Sequence, residues 1–208
     1  MRIESLANAP DRAGRYRLVL EDGTLMRLYK QTVQDFSLYT GMELSEQQLQ
    51  QLKVAAGEMS AKMRAVRIVA ASSISKRDLQ QRLIQKGEDP QHAKKAVAWM
   101  EDLSLVDDTK TAEQVVARCV SKGYGLARAK QALYDKRIPK HLWDDVLCDY
   151  PDQTDAIEAY LRAHLTSESD QKEIKRTVDA LLRRGHSYPQ IRRALQQITL
   201  DFEEFTED

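Results

Sequence analysis

Metal binding, acid–base catalysis and phosphate gripping each demand particular residues at particular spacings, and the chain offers few of them. Its four histidines are His92, His141, His164 and His186. None belongs to a His-x-x-x-His pair, which would set two imidazoles on one helix face, and none stands at ligand spacing from a cysteine. Solvent-facing or capping roles are expected for them. Neither Cys119 nor Cys148 belongs to a Cys-x-x-Cys pair. Cys119 shares its stretch with Val115, Val116 and Val120, which suits a buried structural thiol. Gly123-Tyr124-Gly125 is a Gly-x-Gly without the third glycine or the preceding strand of a dinucleotide loop, so an inter-helix turn is expected there. Asp107-Asp108 stands just before a helical stretch, where carboxylates cap amides and favour the helix dipole. No enzymatic role is expected of it or of Asp144-Asp145. These absences predict a non-enzyme with no catalytic residue, no cofactor and no metal.

Basic residues form a larger pattern. Residues 61–100 hold nine bases against three acids, and residues 171–200 hold seven against two. The middle of the chain and the acidic segment 201–208 restore the balance, to 32 basic and 32 acidic side chains in all. A neutral chain is not a generic polyanion binder, but local basic faces stay open to it. Lys94-Lys95 and Arg192-Arg193 fall off the apolar stripe of their helices, so they are expected to face solvent. Two readings remain for such residues: a solvated helix face, or a surface facing an acidic protein or phosphates. Few aromatics accompany them, which weakens the case for stacking on single-stranded bases. Trp99 and Trp143 are expected to pack at helix contacts.

The elements that must position these residues are mainly helical. Charged residues make up 31% of the chain and aromatics 6%, a composition suited to amphipathic helices. Only the first forty or so residues differ. Residues 16–21 and 24–29 are strand-like and flank Asp22-Gly23, which suits a type I′ hairpin turn. Beyond Gly41, Ser45 with Gln48 predicts a capping box, followed by a second helix over Met59–Ala71, with Gly57 either a break or a weak point in one long helix. Shifts of 50 and then 48 residues superpose three segments without a gap. Leu83 falls on Leu133 and Leu181, Ala93 on Trp143 and Ile191, Val97 on Leu147 and Leu195, and Met100 on Tyr150 and Ile198. The last three sets share one helical face. Preceding helices at residues 63–71, 112–121 and 156–165 complete three units. Ser75 with Asp78, Asp89-Pro90 and Ser187–Gln190 mark helix starts, and Gly87, Gly123 and Gly185 mark ends.

The expected fold is therefore mainly α. It is a tandem array of three three-helix repeats forming an elongated curved body, with a small N-terminal β-hairpin and helix extension. The expected boundaries are 1–58 for the extension, 59–106, 107–151 and 152–200 for the repeats, and 201–208 for the acidic tail. One unit of about 50 residues buries too little surface to stand comfortably alone, whereas stacked units share apolar faces. No stretch approaches the ~18 apolar residues that span a bilayer, and residues 1–20 hold no signal-peptide core. With two unpaired thiols, the expected location is the cytoplasm, and a monomer is expected.

Several stretches resemble the RecX family. They are residues 74–87 (ISKRDLQQRLIQKG), 103–108 (LSLVDD), 116–125 (VARCVSKGYG) and 181–187 (LLRRGHS). The resemblance spans about residues 60–200, and the N-terminal part is similar to the extension of some Gram-positive members. Two departures stand out. Arg137 replaces a usual glycine, and Thr109-Lys110-Thr111 replaces a usual aromatic. The resemblance implies a regulator of the RecA recombinase, usually an inhibitor. It would bind in the groove of the RecA–DNA filament and modulate filament growth, ATP hydrolysis and coprotease activity in recombination and the SOS response. A weak direct contact with DNA is compatible with this role. The alternative is a DNA-binding helical-repeat protein with no RecA role. Candidate partner-binding residues are Lys76, Arg77, Arg82, Lys86, Lys94, Lys95, Lys136, Arg137, Lys140, Arg183, Arg184, Arg192 and Arg193.

Overall fold

A computed structural model describes residues 1–166 and 168–204, the last six of these as backbone only. The expected acidic tail, 201–208, lies outside the residues whose side chains are described. The chain forms two compact units, Met1–Val106 and Asp107–Asp208.

The first unit opens with an antiparallel sheet, ordered β1 (Ile3–Leu6), β2 (Arg15–Leu20), β3 (Leu25–Tyr29). The expected hairpin is β2–β3. Strand β1 is an addition, held by long-range pairing of Ile3 with Leu20 on one side and by bonds to Gly41 and Met42 on the other. Leu18 and Leu20 point into the core with Ile3 and Leu28, while Val19 lies on the opposite face. The type I′ expectation fails. Of the two turn residues only Gly23 has a positive φ, +79°. The Asp22 carboxylate instead accepts bonds from the Thr24 amide at 2.8 Å and hydroxyl at 2.9 Å, a local alternative that needs only one left-handed residue.

Helix α1 (Lys30–Asp35) leads to α2 (Glu46–Ala71), which is continuous. The Ser45 hydroxyl accepts from the Gln48 amide at 3.1 Å, and the Gln48 side chain accepts from the Ser45 amide at 2.9 Å. Gly57 does not break the helix, so the expected boundary at 58/59 falls inside an element. At 26 residues α2 runs roughly 39 Å. Its first half packs Leu52 on the sheet, and its second half packs Ala61 and Ala65 among Ala93, Ala96 and Met100. Helices α3 (Lys76–Gln85) and α4 (Pro90–Asp102) complete this core. They start at caps made by Ser75 and Asp89.

The second unit contains α5 (Asp108–Ser121), α6 (Leu126–Asp135), a 3-10 turn (Lys140–Leu142), α7 (Trp143–Leu147), α8 (Thr154–His164), α9 (Gln171–Arg183) and α10 (Tyr188–Glu204). Leu83, Leu133 and Leu181, superposed by the repeat, are all fully buried. The match is poorest in α7, which has five residues where α4 has 13. Tyr150, expected on the same helical face as Trp143 and Leu147, lies beyond the end of α7. Pro151 follows it, and a residue preceding proline disfavours the helical conformation.

Helices α3, α6 and α9 end alike. The amides of Gly87, Arg137 and Gly185 donate to the carbonyls of Ile84, Tyr134 and Leu182, and the next amide in each case reaches back to Leu83, Leu133 or Leu181. This Schellman geometry needs a left-handed residue. Arg137 therefore takes φ +56° where its counterparts Gly87 and Gly185 have +87° and +88°. A Cβ in that region costs about 1 kcal/mol. Arg137→Gly is accordingly expected to stabilise the protein by about 0.5–1 kcal/mol, read as a higher urea midpoint with unchanged slope.

Candidate functional site

Within the first unit, the residues flanking the buried face of α4 explain which bases reach solvent. Ala93, Ala96, Val97 and Met100 turn inward, leaving Lys94 and Lys95 exposed. Lys95 is paired with Glu58 at 2.5 Å, Lys76 with Glu101 at 2.7 Å and Arg82 with Asp78 at 3.0 Å. Such exposed pairs contribute little to stability, but they neutralise local charge. Arg77, Lys86 and Lys94 are exposed with no carboxylate partner among the described residues. Trp99 packs against the core and carries Lys62 over its ring at 5.3 Å.

In the second unit, Arg137, Lys140, Arg183, Arg192 and Arg193 are exposed, and Lys136 and Arg184 are half-buried. Arg193 donates from Nε to the Pro189 carbonyl at 3.4 Å. Arg183 and Arg184 belong to a cleft of 520 Å³ whose other lining residues are Tyr124, Arg128, Tyr160 and Ala180. The Arg184 guanidinium lies 4.6 Å from the Tyr160 ring centre and 5.7 Å from that of Tyr124. Tyr124, Arg128 and Tyr160 were not among the sequence candidates. They lie 60, 56 and 24 residues from Arg184, and no local spacing announces the meeting.

The cleft exists because two helix turns touch through their backbones. The Gly125 amide donates to the Arg184 carbonyl at 2.9 Å, and the Ala127 amide to the Gly185 carbonyl at 3.3 Å. Orphan amides at the start of α6 are thus capped by orphan carbonyls at the end of α9. That explains why α6 has no side-chain cap where α3 has Ser75 and α9 has Asp170. The crossing holds Gly123-Tyr124-Gly125 as the expected inter-helix turn, but also gives that turn a partner. The Tyr150 hydroxyl donates to the Tyr124 carbonyl at 2.6 Å, and burial pushes its pKa up to about 12.

His186 sits under the same crossing, buried. Its Nε2 faces the Gly123 carbonyl at 3.1 Å, and a carbonyl only accepts, so Nε2 carries the hydrogen. Nδ1 has no partner. Burial holds the imidazole below its ordinary range, partly opposed by the Gly123 bond, and Arg184 pushes the same way as burial. The sign follows from linkage. The unfolded chain binds this proton more readily, so the stability is intact above the unfolded value of 6.5 and is lost as pH falls below it. Urea midpoints at pH 7.5 and 5.5 should therefore differ more in the parent than in His186→Gln, whose amide can still donate to Gly123.

The remaining chemistry-bearing residues are structural in placement. Asp107 caps α5 by accepting from the Thr109 and Lys110 amides at 2.9 and 3.1 Å. Cys119 is buried, which raises its thiol pKa, and Cys148 is exposed. His164 stacks on Tyr160 at 4.0 Å, and the Trp143 indole donates to the Ile138 carbonyl at 3.1 Å. Among the described residues no three His, Cys, Asp or Glu side chains converge, and no helix is long and apolar enough to cross a membrane.

No protein-family model matches the chain. A regulatory protein RecX of Vibrio campbellii is 28% identical over 146 residues, covering 69% of this chain and 94% of that protein. The regulatory protein RecX of Clostridioides difficile is 25% identical over 210 residues, covering 98% of this chain and 97% of that one. This chain is similar to RecX proteins along nearly its whole length. Solved RecX structures share its fold. A crystal structure of regulatory protein RecX matches with a TM-score of 0.64 at 19% identity, over 94% of this chain and 98% of the other. RecX from Lactobacillus salivarius matches at 0.60 and 19%, over 70% of this chain and 99% of that chain. The full-length match to the C. difficile protein includes the N-terminal sheet, which lies outside the stretches whose motifs resemble RecX.

Proposed function

We propose that this protein is a non-enzymatic modulator of RecA, acting as an inhibitor from within the groove of the RecA–DNA filament and regulating filament growth, ATP hydrolysis and coprotease activity. The similarity to RecX proteins carries the proposal. The exposed bases without carboxylate partners among the described residues, Arg77, Lys86 and Lys94 in one unit and Arg183 and Arg192 in the other, support it as surface available to a charged partner. Their meaning is electrostatic: charge on a rim sets encounter rate and register more than total affinity. The protein acts as a cytoplasmic monomer in this scheme, and the effect on RecA belongs to recombination and the SOS response.

The test is DNA-dependent ATP turnover by RecA with sub-stoichiometric amounts of the protein. Strong inhibition far below one molecule per RecA protomer is expected from an effect on filament growth. Lys94→Glu with Lys95→Glu, and Arg192→Glu with Arg193→Glu, should each weaken inhibition about tenfold with helicity unchanged. Equal inhibition by both reversals would remove these faces from the interface. Direct DNA binding without a RecA role makes a different prediction: retention on naked DNA that falls steeply with salt, and no effect on turnover beyond competition for DNA.

A further inference from the structure

The arginine–tyrosine cleft of the second unit has the chemistry of an anion site. Three of its six lining residues are arginines and none is acidic. A smaller cleft in the same unit differs in being lined by both Glu158 and Arg193, so its charge is balanced. Neither Arg128, Arg183 nor Arg184 has a carboxylate partner among the described residues. The Arg184 guanidinium is held between two rings, and its backbone carbonyl is fixed by Gly125. A planar fork fixed in advance loses little freedom when it takes a partner.

The kind of anion follows from what surrounds the fork. Nucleic-acid strands bind by stacking bases and by repeated phosphate contacts. Here the rings are taken. Tyr160 has His164 stacked at 4.0 Å and Arg184 at 4.6 Å, and Tyr124 has Lys122 at 5.9 Å as well as Arg184 at 5.7 Å. The unit is also acidic as a whole, with 16 basic and 19 acidic side chains in residues 107–208, net −3. That balance gives a long polyanion no general attraction to the unit, whereas a short acidic group seated in the cleft meets only its arginines. We propose that this cleft clamps aspartate or glutamate side chains of a partner protein, with Arg184 donating bidentately to one carboxylate and Arg128 and Arg183 flanking it.

The proposal deepens the RecA reading and rests on it for the claim that Arg183 and Arg184 face a partner. Its test needs no RecA. A blocked tetrapeptide of alternating glutamate and aspartate would be titrated into the full chain while the arginine Nε–Hε resonances are followed by NMR, beside a glutamine–asparagine peptide and a short oligothymidylate. The acidic peptide should shift the signals of Arg128, Arg183 and Arg184, and the neutral peptide should not. Arg184→Lys keeps the charge but loses the fork, so peptide affinity should fall about tenfold. Arg128→Gln with Arg183→Gln, on the rim, should weaken the peptide without disturbing the stack. Absence of shifts in the parent protein overturns the proposal, as does oligothymidylate moving the same signals more tightly than the peptide. Failure here leaves any RecA inhibition standing. A parent protein without effect on RecA turnover would instead remove the functional reading and leave the peptide result untouched.

Discussion

Gly125→Ala should unfold the second unit far more readily than an alanine placed at a glycine with open space around it. A Cβ at Gly125 would overlap the Gly185 carbonyl and the His186 amide nitrogen, and one at Gly185 would overlap the Arg128 amide. These are backbone atoms, so no rotamer change relieves the clash and the two turns must separate. Separation breaks the Gly125–Arg184 and Ala127–Gly185 bonds and uncaps α6. Overpacking and lost capping together should cost about 3 kcal/mol or more. With a urea slope of roughly 2 kcal/mol per molar, the midpoint should fall by about 1.5 M. Gly14→Ala is the control, since Gly14 has φ +79° and open space around it, and should lose only about 1 kcal/mol. Equal losses in the two variants would mean that the turns do not meet. Gly57→Ala should be intermediate, because the group in its way is the His92 imidazole, whose ring can swing aside.

The second large effect lies in the first unit. The Glu88 side chain is 7% exposed, and its Oε1 accepts from Arg64 Nε at 2.7 Å and from the Ser60 hydroxyl at 3.0 Å. Arg64 also donates to the Lys86 carbonyl at 2.7 Å, so one guanidinium holds both a buried carboxylate and the end of α3. Arg64→Met leaves that carboxylate buried with one hydroxyl for company. Breaking a buried pair from one side costs about 3–5 kcal/mol, and because Arg64 is itself 35% exposed the lower end, about 3 kcal/mol, is expected. The repeat suggests the rescue. Glu88 superposes on Ile138 and His186, all buried at the same point after a helix end. Arg64→Met with Glu88→Ile should recover most of the loss, since an apolar group there has a natural precedent within the same chain. A double variant as unstable as the single one would refute the assignment of the penalty to the stranded carboxylate.

Much of the fold was legible because the interactions behind it are local. The capping box at Ser45, the caps at Ser75, Asp89 and Asp107, and the glycine stops at Gly87, Gly123 and Gly185 all act within about four residues, and all stand where the spacing places them. The apolar period likewise needed only one helix at a time: Leu83, Leu133 and Leu181 are buried as their register requires. Legibility failed where two local choices were nearly equal. Asp22-Gly23 suits several hairpin turns, and the bond from Thr24 to Asp22 decides among them. Gly57 weakens a helix by about 1 kcal/mol, too little to end one anchored on a sheet at one end and on α4 at the other.

Of the candidate bases, helical register alone put Lys94, Lys95, Arg192 and Arg193 on the solvent side, and that is where they lie. It could not tell that Lys95 meets Glu58 while Lys94 has no carboxylate partner among the described residues, because ion pairing joins residues 37 apart on different helices. Strand β1, the meeting of Gly125 with Gly185 and the stacking of Arg184 between Tyr124 and Tyr160 have the same origin. The chain by itself determined its helices, their ends and their repeat, since propensity, capping and periodicity are written in neighbouring residues. Tertiary structure alone decided which turns touch, which charges are spent on one another and where three arginines face a common cleft, because those contacts join residues dozens of positions apart and exist only once the helices have packed.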